Sequence, residues 1–188
     1  MSESKIFGVG LPRCAGQTLR SALSLLYPKN RVWHSPGNRW YKLEEKGNWC
    51  SAVEVFASPL WLETNFPGSI YIYNNRELDS WLGSCTRSYQ LSQDQNWNHP
   101  LWRYPLSQFE DYYHNHLDMW MEESQIVCPG RVFIIDMIKY PNWVQLCDAL
   151  NRPVPHLLRF PNVDITQGRP MRSVKHKNDF TRILGEDL

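Results

Sequence analysis

The sequence contains no apolar run of about 18 residues, the length that a membrane-spanning helix requires. It contains no Cys-x-x-Cys pair among its five cysteines, so their spacing gives no sign of a structural zinc site. It also lacks an excess of one charge, because 20 Lys and Arg residues are balanced by 19 Asp and Glu residues. A duplex-DNA-binding domain is normally more basic, so the balance argues against a nucleic-acid partner and requires any anion site to be local.

The composition that remains is typical of a globular domain. The 188 residues are 42% hydrophobic and 21% charged, which predicts a single domain over residues 1–188. The cysteines are scattered and odd in number, and no apolar leader precedes the first strand-like stretch. These features favour a reducing compartment, and we expect a cytoplasmic protein without a membrane span.

Short apolar stretches alternate along the chain with stretches of helical periodicity. This alternation predicts an α/β fold of three layers, with a central parallel sheet of about five strands. Residues 89–104 are polar and without a period, which predicts a long functional loop whose Trp97 and Trp102 can stack on a ligand. The predicted strands are residues 5–9, 31–34, 52–56, 69–74 and 131–136. The predicted helices are residues 18–26, 59–65, 77–88, 106–123 and 142–150, the first of them capped by Thr18.

A glycine-containing loop leads from the first predicted strand into the first predicted helix. Such a loop turns backbone N–H groups toward one point, where the helix dipole also favours an anion. The Walker A pattern is absent, because Gln17 follows Gly16 where a lysine is required, and the cation Arg13 lies earlier in the loop. The loop alone indicates either a phosphate site or an ordinary turn, and the missing lysine argues against metal-dependent phosphoryl transfer.

A second feature lies where the fourth predicted strand ends. Arg76 follows that strand, and Ser84 comes eight residues later in the next predicted helix. In a parallel sheet, ligands bind beyond the carboxyl ends of the strands. There Arg76 supplies a fork of donors and Ser84 a hydroxyl, so the two can converge on one anion.

These residues resemble the motifs of the sulfotransferases that use 3′-phosphoadenosine-5′-phosphosulfate (PAPS), in particular their short soluble branch. The family's opening loop, Gly-x-x-Arg-Thr-Gly-Thr-Thr-Ser-Leu, corresponds to residues 10–19. Its second motif is an arginine and an acid at a strand end, followed by Trp and Ser, and corresponds to Arg76, Glu77, Trp81 and Ser84. Residues 133–164 are similar in order and spacing to the family's C-terminal stretch, so the resemblance covers residues 5–164.

The resemblance implies a P-loop NTPase-like sulfotransferase fold, PAPS as the cofactor, no metal, and a small-molecule, carbohydrate or lipid acceptor. It implies that Arg13 stabilises the negative charge on the departing 5′-phosphate oxygen. It places the 3′-phosphate on Arg76 and Ser84, with the basic C-terminal segment, residues 166–188 including Arg169 and Arg172, folded over the cofactor. The 5′-phosphate would lie in the loop of Arg13, Cys14, Ala15, Gly16, Gln17 and Thr18.

Two residues at predicted strand positions are candidates for the base that removes the acceptor proton, His34 and Glu54. Glu54 is slightly favoured, because a carboxylate without a partner inside an apolar strand is costly. Each also has a structural interpretation, His34 as a hydrogen-bonded histidine and Glu54 as an ion-paired residue. His114 and His116 are two residues apart, so they face different sides of a helix and make a poor metal pair.

The opening loop departs from the family pattern at Ala15, Gly16 and Gln17, which stand where the family has Gly-Thr-Thr. One or two hydroxyls that would bind phosphate are therefore absent. A non-catalytic nucleotide-binding module of the same fold stays open as an alternative. A P-loop kinase is a further alternative, against which the missing lysine argues.

Overall fold

The computed structural model describes residues 4–34, 43–51, 57–95, 100–156 and 158–161. Five strands form one sheet in which all pairs are parallel, in the order β2-β3-β1-β4-β5. The strands are β1 (Ile6–Val9), β2 (Arg31–Trp33), β3 (Asn48–Cys50), β4 (Ile70–Asn74) and β5 (Val132–Ile135). The helices are α1 (Gly16–Leu26), α2 (Pro59–Asn65), α3 (Leu78–Gln95), α4 (Phe109–Val127) and α5 (Trp143–Ala149), with short 3₁₀ helices at Pro100–Arg103 and Leu106–Gln108. The predicted α/β class and five-stranded parallel sheet are confirmed.

Alternating side chains along the central strands divide the core between the two faces of the sheet. Ile6 and Ile72 belong to a cluster built with α1 and α5, which contribute Leu19, Leu23 and Leu146 among others. Phe7 and Tyr71 belong to a second cluster, built with α2 and α4. Because helices cover both faces, the strands are apolar on both sides and the fold has three layers.

A third cluster lies at the carboxyl edge of the sheet and anchors the loop after β1. Leu11 and Cys14 of that loop are buried against Trp81 and Cys85 of α3. The apolar face that Trp81 and Cys85 form on α3 therefore packs partly against a loop. The loop after β1 is therefore anchored by a hydrophobic cluster separate from those on the two faces of the sheet.

The strand order places β1 between β3 and β4. The chain first builds β2 and β3 on one side of β1 and then crosses to build β4 and β5 on the other. In open parallel sheets, ligands bind beyond the carboxyl ends at such a reversal. Here that position holds the loop after β1 and the turn after β4.

Three sequence-based expectations need correction. The third strand is Asn48–Cys50, and the predicted strand at 52–56 lies outside the described residues. Helix α1 begins at Gly16, with Ala15 at the capping position, so Thr18 lies inside the helix and is not its cap. The predicted loop at 89–104 is partly helical, because α3 continues to Gln95 and Pro100–Arg103 forms a 3₁₀ helix.

Among the described helices, none combines the length and apolar character needed to cross a membrane.

Candidate functional site

The backbone of the loop after β1 adopts several left-handed conformations. Gly10 has φ of 116°, and a Cβ there would lie 2.7 Å from the carbonyl oxygen of Asn74, so this position requires glycine. Arg13 and Ala15 have φ of 69° and 62° although neither is glycine. Left-handed residues alternating with ordinary ones turn successive N–H groups into one concavity, which is an anion-binding geometry. Non-glycine residues in this region are strained and often mark functional sites.

The N-terminus of α1 lies directly after this loop. Its capping residue, Ala15, makes no side-chain hydrogen bond to it, and its first turn contains no acidic residue. Uncapped N–H groups and the positive end of the helix dipole both favour an anion at this position.

Three hydrogen bonds tie the loop to the turn after β4 and to α3. Arg76 Nη1 donates to the carbonyl oxygen of Arg13 at 2.9 Å, and Arg13 Nε donates to Ser84 Oγ at 3.2 Å. The indole N–H of Trp81 donates to the carbonyl oxygen of Pro12 at 2.8 Å. The structure therefore brings Arg13 together with Arg76 and Ser84, which come 63 and 71 residues later in the sequence.

Helices α3 and α4 fix the orientation of Arg76. Its Nε donates to Ser80 Oγ at 3.0 Å. The Tyr113 hydroxyl donates to the carbonyl oxygen of Arg76 at 2.8 Å and lies 3.0 Å from Asn75 Oδ1. Sequence reasoning missed Ser80 and Tyr113, because only the packing of α3 and α4 brings them to this turn.

Three arginines, Arg13, Arg76 and Arg87, lie near one another at the site. Burial lowers the pKa of the Arg13 guanidinium, and the nearby charges of Arg76 and Arg87 lower it further. Within the described ranges, no carboxylate forms an ion pair with any of these three arginines. Each guanidinium keeps further N–H donors beyond the bonds it already makes. The arrangement can therefore accept an anion without losing the contacts that hold it.

His34 lies at the carboxyl end of β2, next to the start of α1. Its Nδ1 is 3.4 Å from Ser51 Oγ at the end of β3. Burial and the charge of Arg20 lower the pKa of His34 to about 4, against a backbone hydrogen bond with Gly16 that raises it. The ring is therefore neutral at pH 7 and can accept a proton. The other predicted base, Glu54, lies outside the described residues, as do Arg169 and Arg172.

The remaining predicted site residues differ in what they can contribute. The Cys14 side chain is buried beneath the loop, and burial raises its thiol pKa far above the usual range, so the thiol is not available to a ligand. Gly16 and Gln17 begin α1 at the surface, and Thr18 is buried behind them. The predicted stacking role of Trp102 is wrong, because its side chain is 6% exposed and packs against Phe109. Trp97 lies outside the described residues.

Asn74 Oδ1, beside the loop, is buried and has no hydrogen-bond partner among the described residues. Such an orphaned polar atom calls for a water or a ligand group.

In the described part of the chain, no three His, Cys, Asp or Glu side chains are gathered closely enough to hold a metal ion. The predicted separation of His114 and His116 is confirmed: His114 is exposed, whereas His116 is buried with its Nδ1 3.0 Å from the Tyr73 hydroxyl.

Comparison with known proteins finds no family model and no curated sequence that matches the chain.

Proposed function

We propose that the protein is a PAPS-dependent sulfotransferase with a P-loop-NTPase-like fold, which transfers a sulfuryl group to a hydroxyl or amine of a small-molecule, carbohydrate or lipid acceptor. The observation that carries the proposal is the joined pair of anion-binding features at the carboxyl edge. The loop of Arg13 and the pair of Arg76 and Ser84 are linked by two hydrogen bonds and lack carboxylate partners among the described residues. A nucleotide with phosphates at both the 5′ and 3′ positions has the charge that this arrangement lacks.

Each side of the site has a distinct role in the proposal. The loop N–H groups and the N-terminus of α1 bind the 5′-phosphate, and Arg13 stabilises the charge that develops on its bridging oxygen. Arg76 and Ser84 bind the 3′-phosphate, which ATP and ADP do not carry. The basic segment at 166–188, through Arg169 and Arg172, closes over the bound cofactor.

The reaction is a direct transfer between two oxygens, or from oxygen to nitrogen. The bond between sulfur and the 5′-phosphate oxygen breaks as the acceptor atom bonds to sulfur, and adenosine 3′,5′-bisphosphate leaves. A base takes the acceptor proton. His34 or Glu54 fills this role, and His34 has a neutral ring next to Gly16 of the phosphate loop.

A second function is favoured by the loop itself. Ala15, Gly16 and Gln17 supply no hydroxyl, and Ala15 holds a left-handed conformation that glycine would adopt without strain. A chain that binds the bisphosphate nucleotide without transferring sulfate would tolerate such a loop. Such a module would have the same nucleotide-binding site as the enzyme but would not transfer sulfate.

Transfer of labelled sulfate from PAPS to a panel of phenols, sugars, lipids and amines tests the proposal. The expected result is acceptor-dependent release of adenosine 3′,5′-bisphosphate in equal amount to the sulfated product. Tight binding of that nucleotide with no transfer to any acceptor would favour the non-catalytic module. A protein that binds neither nucleotide would contradict both functions.

A further inference from the structure

Helix α3 presents a row of residues to the loop after β1. Ser80, Ser84 and Arg87 are four and three residues apart, so they lie on the same face of the helix. Arg76 donates to the first of them and Arg13 to the second. Arg87 is the next member of the row, and no sequence motif pointed to it.

The Arg87 side chain runs back along the helix toward Ser84. Its Nη1 lies 3.9 Å from the point that a Cβ on Gly83 would occupy. Long side chains in helices lean over the preceding turn in this way, so the guanidinium lies above the turn that holds Gly83 and Ser84. Because residue 83 is glycine, no side chain stands between Arg87 and that turn.

Arg87 is exposed, whereas Arg13 is partly buried and donates to Ser84 Oγ. The two charges are close enough for Arg87 to affect the ionisation of Arg13. No described carboxylate forms an ion pair with Arg87. The Arg13 guanidinium therefore lies at the Ser84 hydroxyl and that of Arg87 lies beside neighbouring Gly83, and an anion placed between the two charges would replace their mutual repulsion by attraction to the anion.

We propose that Arg87 is a third phosphate-binding arginine, which together with Arg76 and Ser84 selects ligands that carry a dianionic phosphate monoester at this position. The inference rests on the proposed function, because it assigns the monoester to the 3′-phosphate of the bound nucleotide. Arg87 moves from above Gly83 onto the outer oxygens of that phosphate. The planar fork of arginine suits two phosphate oxygens at once, which the point charge of lysine does not.

The test compares Arg87→Ala and Arg87→Lys with Lys29→Ala by calorimetric titration. Lys29 is an exposed cation after the C-terminus of α1, at the opposite edge of the sheet, so its removal changes net charge equally. The probes are adenosine 3′,5′-bisphosphate and adenosine 5′-monophosphate. Arg87→Ala should weaken binding of the bisphosphate about tenfold or more, on the scale of a hydrogen bond to a charged group. Arg87→Lys should recover part of that loss, and Lys29→Ala should behave as wild type.

Binding of the monophosphate should be equal in wild type and Arg87→Ala, because that ligand has no phosphate for Arg87 to contact. Equal weakening of both nucleotides, or wild-type bisphosphate affinity in Arg87→Ala, would overturn the inference and leave the proposed function standing. If wild type does not bind the bisphosphate at all, the proposed function fails. The inference is then judged with inorganic pyrophosphate: weaker binding to Arg87→Ala than to Lys29→Ala supports it, and equal binding overturns it.

Discussion

Arginines at the two edges of the sheet have opposite surroundings. At the amino edge, just before β5, Arg131 makes a two-pronged ion pair with Glu63 of α2, at 2.8 and 2.9 Å. Arg131 also donates to the carbonyl oxygen of Ser69, and the hydroxyl of Tyr71 donates to Glu63 at 3.0 Å. At the carboxyl edge, Arg13 and Arg76 donate to the hydroxyls of Ser84 and Ser80, and Arg76 also donates to the carbonyl oxygen of Arg13, with no described carboxylate as an ion-pair partner.

Arg131 and Arg13 also differ in the direction in which their surroundings shift the pKa. The hydrogen bonds that Arg131 donates to Glu63 raise the pKa of Arg131, whereas burial and neighbouring arginines lower the pKa of Arg13. Arg131 joins α2 to the sheet, and because Glu63 neutralises its charge it needs no ligand. A partly buried arginine without a counter-charge has an electrostatic cost that only an added anion removes. We therefore interpret the first as structural and the second as part of a binding site.

Replacing the carboxyl-edge arginine should have the largest effect. Arg76→Ala should weaken binding of adenosine 3′,5′-bisphosphate by about 2–5 kcal/mol, roughly 30-fold to several-thousand-fold, because it removes a charge that contacts the ligand. Calorimetric titration measures this. The matched variant is Arg131→Ala, which removes the same side chain from the other edge and should bind the nucleotide as wild type does. If both variants lose affinity alike, the contrast between the edges has no functional meaning.

The two candidate bases come next. Either Glu54→Gln, which the sequence favours, or His34→Asn should lower the rate of sulfate transfer at least about a hundredfold while nucleotide binding is retained. The reason is that each change keeps a polar side chain and removes most of its basicity. Steady-state rates with saturating PAPS measure the effect. Near-normal rates in both variants would contradict both assignments.

The amino-edge pair should matter for stability. Arg131→Ala should lower the free energy of unfolding by about 1–3 kcal/mol, because it leaves the partly buried Glu63 without its charged donor. For a chain of this size the melting temperature should fall by roughly 2–12 °C. Thermal unfolding followed by circular dichroism measures it, with Lys29→Ala as the control. A larger destabilisation by Arg76→Ala than by Arg131→Ala would reverse the interpretation of the two edges.

His34 makes stability at the carboxyl edge depend on pH. Its pKa is about 4 in the folded chain against 6.5 for an ordinary histidine, so between these values the unfolded state binds more protons. The contribution of His34 is thus complete above pH 6.5 and is lost as the pH falls toward about 4. Urea unfolding across this range should show a shallower pH dependence in His34→Gln than in wild type. An unchanged slope in His34→Gln would contradict the assignment.

The smallest expected effect concerns backbone strain in the loop. Ala15→Gly should raise the free energy of unfolding by about 1 kcal/mol at most, because glycine adopts the left-handed conformation without the Cβ clash while its freer unfolded chain offsets part of the gain. Urea unfolding at neutral pH measures this, with Gly16→Ala, inside α1, as the comparison. A clear loss of stability in Ala15→Gly would show that the loop is not strained at this residue.

Much of the fold could be predicted because it depends on local patterns. The β-branched and aromatic run that forms β4 and the apolar face of α3 around Trp81 are visible in the sequence. Strand β3 was missed because it is only three residues long and begins with the polar Asn48. Its pairing with β1 and β2 is what makes these residues a strand. The end of α3 was missed because its last turns are polar and lack a period.

The site could be predicted only where spacing along the chain carries information. Arg76 and Ser84 lie on one strand end and the helix that follows, so their separation already indicates a shared ligand. The contacts of Trp81 with Pro12 and of Tyr113 with Arg76 join distant segments, and nothing local indicates them. Arg87 became visible only when Arg13 was found beside Ser84.

The most direct test of the central claim is a comparison of thermal unfolding with adenosine 3′,5′-bisphosphate, ADP and ATP. A ligand at 100 times its dissociation constant adds about 2.7 kcal/mol to the free energy of unfolding, a shift of roughly 5–11 °C for a chain of this size. We predict a shift of this order with the bisphosphate and a much smaller one with ADP or ATP, because only the former places a phosphate on Arg76 and Ser84. Equal shifts with ADP would contradict the assignment of these residues to a 3′-phosphate.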